Sequence, residues 1–260
     1  MCSSDLPSTL GYYSKAQATE RLSSHTISGT MTSVTYPLYA EVQDDLPKMA
    51  NMIKRLTSTI AYITFPLLGI LLLTAKPIFV ILYSDRWLES VPYFQMLCLA
   101  GLGTSLSAVN TQPIAAIGKS KTMFTWTILK RVIGFIAIII GLLLFGMYGL
   151  LIGFIFNCWF SYFVNIWLVS KYIGYRWTQQ FLDILPIVTA VLISCIVSYI
   201  VANLFHLSLY FDGLLKLSLF LLPYIGWSLF FKPESFTYTK SIIAPILTKS
   251  KKRSKKEEME

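Results

Sequence analysis

The chain has 260 residues, of which 55% are hydrophobic and only 13% charged, and its mean hydropathy is +0.60. A soluble domain carries about 25% charged residues, whereas here the apolar residues come in blocks of about 20, the length that crosses a bilayer. Most soluble folds are excluded, and the pattern predicts an all-α, polytopic helical membrane protein with about seven transmembrane helices.

In chain order, Met1-Cys2-Ser3-Ser4-Asp5-Leu6 reads as the translation of a common sequencing adapter from a GTG start. Residues 1–10 are therefore expected to be foreign or disordered, with the native chain continuing upstream. A first helix is predicted over about 21–40. It is weakly apolar, with eight Ser or Thr between Ser23 and Thr35, and suits a cavity wall or a close helix neighbour. The second, about 53–75, carries Pro66 and is followed by a short apolar piece, Pro77–Tyr83. The remaining spans are predicted at about 91–113, 121–145, 148–171, 182–205 and 213–231. Gly146-Met147-Tyr148-Gly149 makes a tight outer hairpin between two of them. Trp87, Tyr93, Tyr172, Tyr175, Trp177 and Tyr210 fall near span ends, where amphipathic rings favour the interface. The expected organisation is a transporter lobe over 11–180, two trailing helices over 181–232 and a basic cytoplasmic tail over 233–260.

The net charge is +9. With the Lys-rich C-terminus in the cytoplasm, alternation puts nine basic residues on that side before the tail: Lys48, Lys54, Arg55, Lys119, Lys121, Lys130, Arg131, Lys171 and Arg176. Five fall outside, at Lys15, Arg21, Lys76, Arg86 and Lys216. The asymmetry follows the positive-inside rule, so the charge reads as topology and not as nucleic-acid binding.

Catalytic and metal chemistry is not expected. Cys2, Cys98, Cys158 and Cys195 form no Cys-x-x-Cys pair, and neither His25 nor His206 sits in a ligand cluster, so no metal or cofactor is predicted. Ile117-Gly118-Lys119-Ser120 resembles the end of a phosphate loop, but Pro113 stands where that loop needs Gly. Of the acidic residues, Asp183 alone lies near the start of a span, and none is placed at mid-membrane depth. The chain does not read as an enzyme.

Polar groups inside apolar helices are the candidate substrate-binding residues. Lys130 and Arg131 should sit about one turn inside the cytoplasmic boundary. Adjacent helical positions point about 100° apart, so either both side chains snorkel to the interface or at least one faces a cavity and holds an anion such as a pyrophosphate. Asn157, Ser161 and Asn165 form a polar stripe on the fifth helix. Thr104, Ser107 and Thr111 form another on the third, with Asn110 and Gln112 beside them. Interhelical hydrogen bonding and cavity lining both explain such stripes. Lys54 and Arg55 open the second helix, as topology charges or as contacts to anionic headgroups or substrate.

Four stretches carry a resemblance. They are Leu10-Gly11-Tyr12-Tyr13-Ser14-Lys15-Ala16; Tyr36-Pro37 with Gln43-Asp44-Asp45; Leu82-Tyr83-Ser84-Asp85-Arg86-Trp87 with Pro92 and Gln95-Met96-Leu97; and Ala116-Ile117-Gly118-Lys119. In this order, over about residues 10–180, they resemble the polysaccharide-biosynthesis branch of the multidrug/oligosaccharidyl-lipid/polysaccharide exporters, the Wzx-type flippases. Ser84 and Ala40 depart from the Gly and Ser of that pattern. The resemblance implies two helical lobes around a central cavity, of which this chain is the C-terminal half. It implies movement of an undecaprenyl-diphosphate-linked oligosaccharide from the inner to the outer leaflet of the bacterial inner membrane. Its partners would be the lipid-linked oligosaccharide, the phospholipid bilayer and polysaccharide assembly proteins. A multidrug or cation antiporter of the same superfamily, and a non-transporting membrane subunit of a polysaccharide synthase, are the rival readings.

Overall fold

The computed structural model describes residues 8–21, 38–205 and 208–231. Every regular element among them is helical. Helix α1 covers 8–21, α2 Leu46–Leu73, α3 Ala75–Tyr83, α4 Ser90–Ala116, α5 Ser120–Ile173, α6 Trp177–Leu204 and α7 Leu209–Phe231. The predicted 21–40 helix falls largely on residues 22–37, outside the described ones. Helix α1 is an element that the apolar pattern did not predict.

Local chemistry sets the element ends. Asp45 caps α2 by accepting from the Lys48 backbone N–H at 3.1 Å, with Pro47 in the first turn, where its missing N–H costs nothing. Pro66 is accommodated within α2, which ends at Leu73. The apolar piece predicted over Pro77–Tyr83 is the body of α3. Gly174, at φ +89°, ends α5 in the left-handed conformation that glycine adopts without strain.

Helix α5 is 54 residues long and reverses at Gly146, whose φ of 61° and ψ of −139° are not helical. The predicted outer hairpin is therefore present, and each arm of α5 is long enough to cross a membrane. The arms touch through small residues. A Cβ on Gly141 would lie within hard contact of the Gly149 carbonyl, and one on Gly153 would stand 2.6 Å from the Ala137 carbonyl oxygen. Backbones can approach this closely only where side chains are absent, the usual device of packed membrane helices.

Helix α4 lies between α2 and the α5 hairpin, and α6 and α7 pack on α2. The core runs in three zones along the bundle. Met49, Ile53, Ile114, Leu168 and Ile173 fill one end. Phe65, Leu106, Tyr162, Ile187 and Phe220 fill the middle. Ala16, Leu68, Phe79, Phe94 and Leu151 fill the other end. Helix α7 is tied to α2 by two hydrogen bonds. Tyr62 O–H donates to Ser228 Oγ at 2.9 Å, and Tyr224 O–H donates to the Tyr62 carbonyl at 2.8 Å.

Helices α2, α5, α6 and α7 are long and apolar enough to cross a membrane. Much of the outward surface is greasy, with Phe135 65%, Leu143 79% and Phe230 83% exposed. That exposure would be costly in water and is ordinary in lipid. The basic residues separate as the alternation required. At one end Lys54 meets Asp183 and Lys119 sits over the Tyr172 ring. At the other Lys15 sits over Tyr83 and Trp87, and Lys216 pairs with Asp212.

Candidate functional site

The α5 hairpin brings Lys130 on its first arm against Asn165 on its second. Lys130 is only 9% exposed, and its Nζ donates to Asn165 Oδ1 at 2.6 Å. Asn165 is itself 2% exposed. Its Nδ2 donates to Ser107 Oγ at 2.7 Å, to Thr111 Oγ1 at 2.8 Å and to the Ser107 carbonyl at 3.2 Å. The two polar stripes therefore meet, Asn165 from α5 against Ser107 and Thr111 from α4. Asn165 fixes the ammonium by orienting its own carbonyl oxygen toward it. The neighbouring Arg131 is exposed, so the consecutive cations divide, one turned into the bundle and one outward.

An ammonium has three N–H donors, and Asn165 takes one. No carboxylate lies within ion-pair distance of Lys130 among the described residues. Lys130 is about 16 residues from the Gly146 reversal, or about 24 Å along the helix. It is thus a buried cation below the middle of the membrane, with donor capacity to spare.

The other candidates are placed apart from this network. Asn110 is fully buried and donates to the Leu106 carbonyl of its own helix at 3.1 Å. Asn157 packs against Gly134, where a Cβ would collide with its side chain. The Oδ1 atoms of Asn110 and Asn157 are both buried without a hydrogen-bond partner. At the cytoplasmic-side end of α2, Lys54 pairs with Asp183 at 3.1 Å. Tyr175 O–H donates to the second oxygen of Asp183 at 2.5 Å. Burial, and then the Asp183 hydrogen bond and charge, push the Tyr175 phenol well above its ordinary range. A cavity of about 430 Å³ beside this cluster is lined by Lys48, Lys54 and Arg55. A second, of about 310 Å³, is lined by Lys54, Tyr175 and Asp183.

Sequence reading missed Tyr175 and Asp183 as partners of Lys54, because 129 positions separate Lys54 from Asp183. It also missed Glu20. This carboxylate is 8% exposed and lies against Gly101, where a Cβ would be 3.0 Å from its Oε1. The expectation that no acidic residue sits at membrane depth is corrected: α1 carries one into the bundle.

With the geometry in place, comparison with known proteins is informative. Residues 6–92 match a family model described as "Polysaccharide biosynthesis protein". The lipopolysaccharide biosynthesis protein WzxC of Escherichia coli strain K12 is 27% identical over 158 residues, 59% of this chain and 32% of that protein. An uncharacterized membrane protein in the cps region of Klebsiella pneumoniae is 29% identical over 141 residues, 53% of this chain and 29% of that one. A solved structure of the lipid II flippase MurJ, in an inward closed conformation, matches with a TM-score of 0.66 at 17% identity. That match covers 86% of this chain and 47% of MurJ. The chain spans about a third of the length of the curated relatives it matches. The motif resemblance is borne out: over the matched part this chain is similar to Wzx-type polysaccharide-biosynthesis proteins, and its fold is that of a helical, multi-pass membrane transporter.

Proposed function

We propose that this chain is the C-terminal lobe of an inner-membrane flippase, with its C-terminus in the cytoplasm. Its substrate would be an undecaprenyl-diphosphate-linked oligosaccharide, moved outward for surface polysaccharide synthesis. One observation carries the reading: the buried Lys130 ammonium, held by Asn165 against Ser107 and Thr111 with two N–H donors left over. A diphosphate is the ligand that such a cation suits, because charge-assisted bonds to phosphate oxygens offset the cost of keeping the ammonium out of water. Ser, Thr and Asn side chains around it match the hydroxyls of a glycan. Lys54 and Arg55, lining the cavity at the cytoplasmic end, supply a first electrostatic contact for the same headgroup. Transport follows when this lobe rocks against a partner lobe, so that the cationic site faces one leaflet and then the other.

The test is Lys130→Gln in the full-length protein, expressed in a flippase-deficient strain and compared with wild type at equal membrane abundance. A charge-assisted hydrogen bond is worth about 1.5–3 kcal/mol, roughly a tenfold to hundredfold effect. Surface polysaccharide should fall by that order, and Lys130→Arg should restore part of it. Normal polysaccharide in Lys130→Gln overturns the reading and favours a non-transporting subunit, which needs no buried cation.

A further inference from the structure

The chain buries an acidic side chain as well as a basic one, and the two lie at different depths. Three distances place Glu20. It is 12 residues from the start of α1. Its neighbour Gly101 is 11 residues inside α4. Cys158, within electrostatic reach of the Glu20 carboxylate, is 12 residues beyond the Gly146 reversal. At 1.5 Å per residue each count gives about 16–18 Å from the outer end, close to the middle of a hydrocarbon layer about 30 Å thick. Lys130, by the same measure, is about 7 Å deeper toward the cytoplasm.

The packing around Glu20 is tight and mostly apolar. Ala16, one turn earlier on α1, is fully buried, and Leu68 of α2 is 1% exposed. Gly101 of α4 leaves room for the carboxyl only because it has no side chain. The titratable and charged groups facing this region are few. Helix α1 itself brings Tyr13 and Arg21, α4 brings Cys98, and α5 brings Cys158, which also senses Arg131. The nearest residues of α2 are apolar. An ionised carboxylate is expensive at this depth, and the neutral acid is the form the bilayer tolerates. Ionisable groups of this kind are where a membrane protein exchanges protons.

We propose that Glu20 is a proton-exchange site that couples the transport cycle to the proton gradient. The inference rests on the transporter reading. In the packing seen here the carboxyl holds its proton. When the lobes part and water reaches α1 and α4, the proton passes from a Glu20 oxygen to a water molecule, leaving the carboxylate. A proton taken from water on the opposite side regenerates the acid, so one proton crosses per cycle, opposite to the lipid-linked substrate.

Two measurements test it. In membrane vesicles holding the full-length protein, the hydrophobic carbodiimide DCCD should modify Glu20, found by mass spectrometry of its peptide. The yield should fall several-fold from mildly acidic to mildly alkaline pH. Absence of that modification at every pH overturns the proposal. Glu20→Gln, a near-isosteric mimic of the protonated acid, should lower polysaccharide export at least tenfold and flatten the pH dependence of what remains. A pH profile identical to wild type assigns Glu20 a packing role only and overturns the proposal. Lys130→Gln should keep the Glu20 modification while losing export, so failure of the phosphate site and failure of the proton site are told apart.

Discussion

Gly141 is where the bundle is least able to accept a single added carbon. The Gly141→Ala Cβ would fall within about 2 Å of the Gly149 carbonyl oxygen, and its mirror position, Gly149→Ala, is as crowded by the Gly141 carbonyl. Both obstructing atoms are backbone, so no rotamer change relieves the clash, and ordinary contact is restored only when the α5 arms separate by more than 1 Å, roughly. Overpacking of this kind costs about 1–3 kcal/mol, with more where backbone must move. A control lies in the same molecule. Gly226 of α7 has nothing within 4 Å of a built Cβ, and alanine there gains up to about 1 kcal/mol of helix propensity. Gly141→Ala should therefore lower the thermal midpoint in detergent while Gly226→Ala leaves it unchanged or raises it. The separation also has a remote consequence. Lys130 lies 11 residues along the same arm, and its 2.6 Å bond to Asn165 spans both arms, so Gly141→Ala should reduce export beyond its loss of protein abundance. Equal midpoints for the two variants would refute the claim that bare backbone contact holds the hairpin.

The Lys54–Asp183–Tyr175 cluster gives an ordering. Lys54 is 43% exposed, so its ion pair contributes about 0–1 kcal/mol, whereas the buried Tyr175 hydroxyl donates to a charged acceptor, worth about 1.5–3 kcal/mol. Tyr175→Phe should destabilise more than Lys54→Met in detergent unfolding, and the reverse order refutes the assignment. Because folding raises the Tyr175 phenol, first through burial and then through Asp183, its contribution is complete below the ordinary tyrosine range near pH 10 and fades as pH rises above it. Asp45 acts in the opposite direction. The Lys48 side-chain hydrogen bond and then the backbone cap hold its carboxyl below the usual range. Its contribution is present above about pH 4 and fades as pH falls further. Asp45→Asn should flatten the acid side of the stability curve without altering the alkaline side, and an unchanged acid limb would remove the cap from the account.

How much of this was readable in the sequence follows from what fixes each feature. The membrane helices were legible because a bilayer demands apolar runs of one length, and that demand acts on local sequence. Helix α1 was not, because Lys15, Gln17 and Glu20 make its sequence look polar, and its burial comes from distant neighbours such as Gly101 and Leu68. The Lys130 site was legible by half. Gly141 meets Gly149, Ala137 meets Gly153, and Gly134 meets Asn157, so each step back along the first arm pairs with a step forward along the second. Continued to residue 130, that antiparallel register arrives in the 161–165 region, where the polar stripe already placed Ser161 and Asn165. The pairing of Lys130 with Asn165 is thus an extension of the Gly146 hairpin, which the sequence announces. What decides between Lys130 and Arg131 is which residue shares the face of Gly134 and Ala137. Lys130 precedes those positions by four and seven residues, the spacings of one helical face, and Arg131 is turned about 100° away. The choice of inward cation was therefore latent in the glycine pattern, and moving that register by one residue would turn Arg131 inward instead.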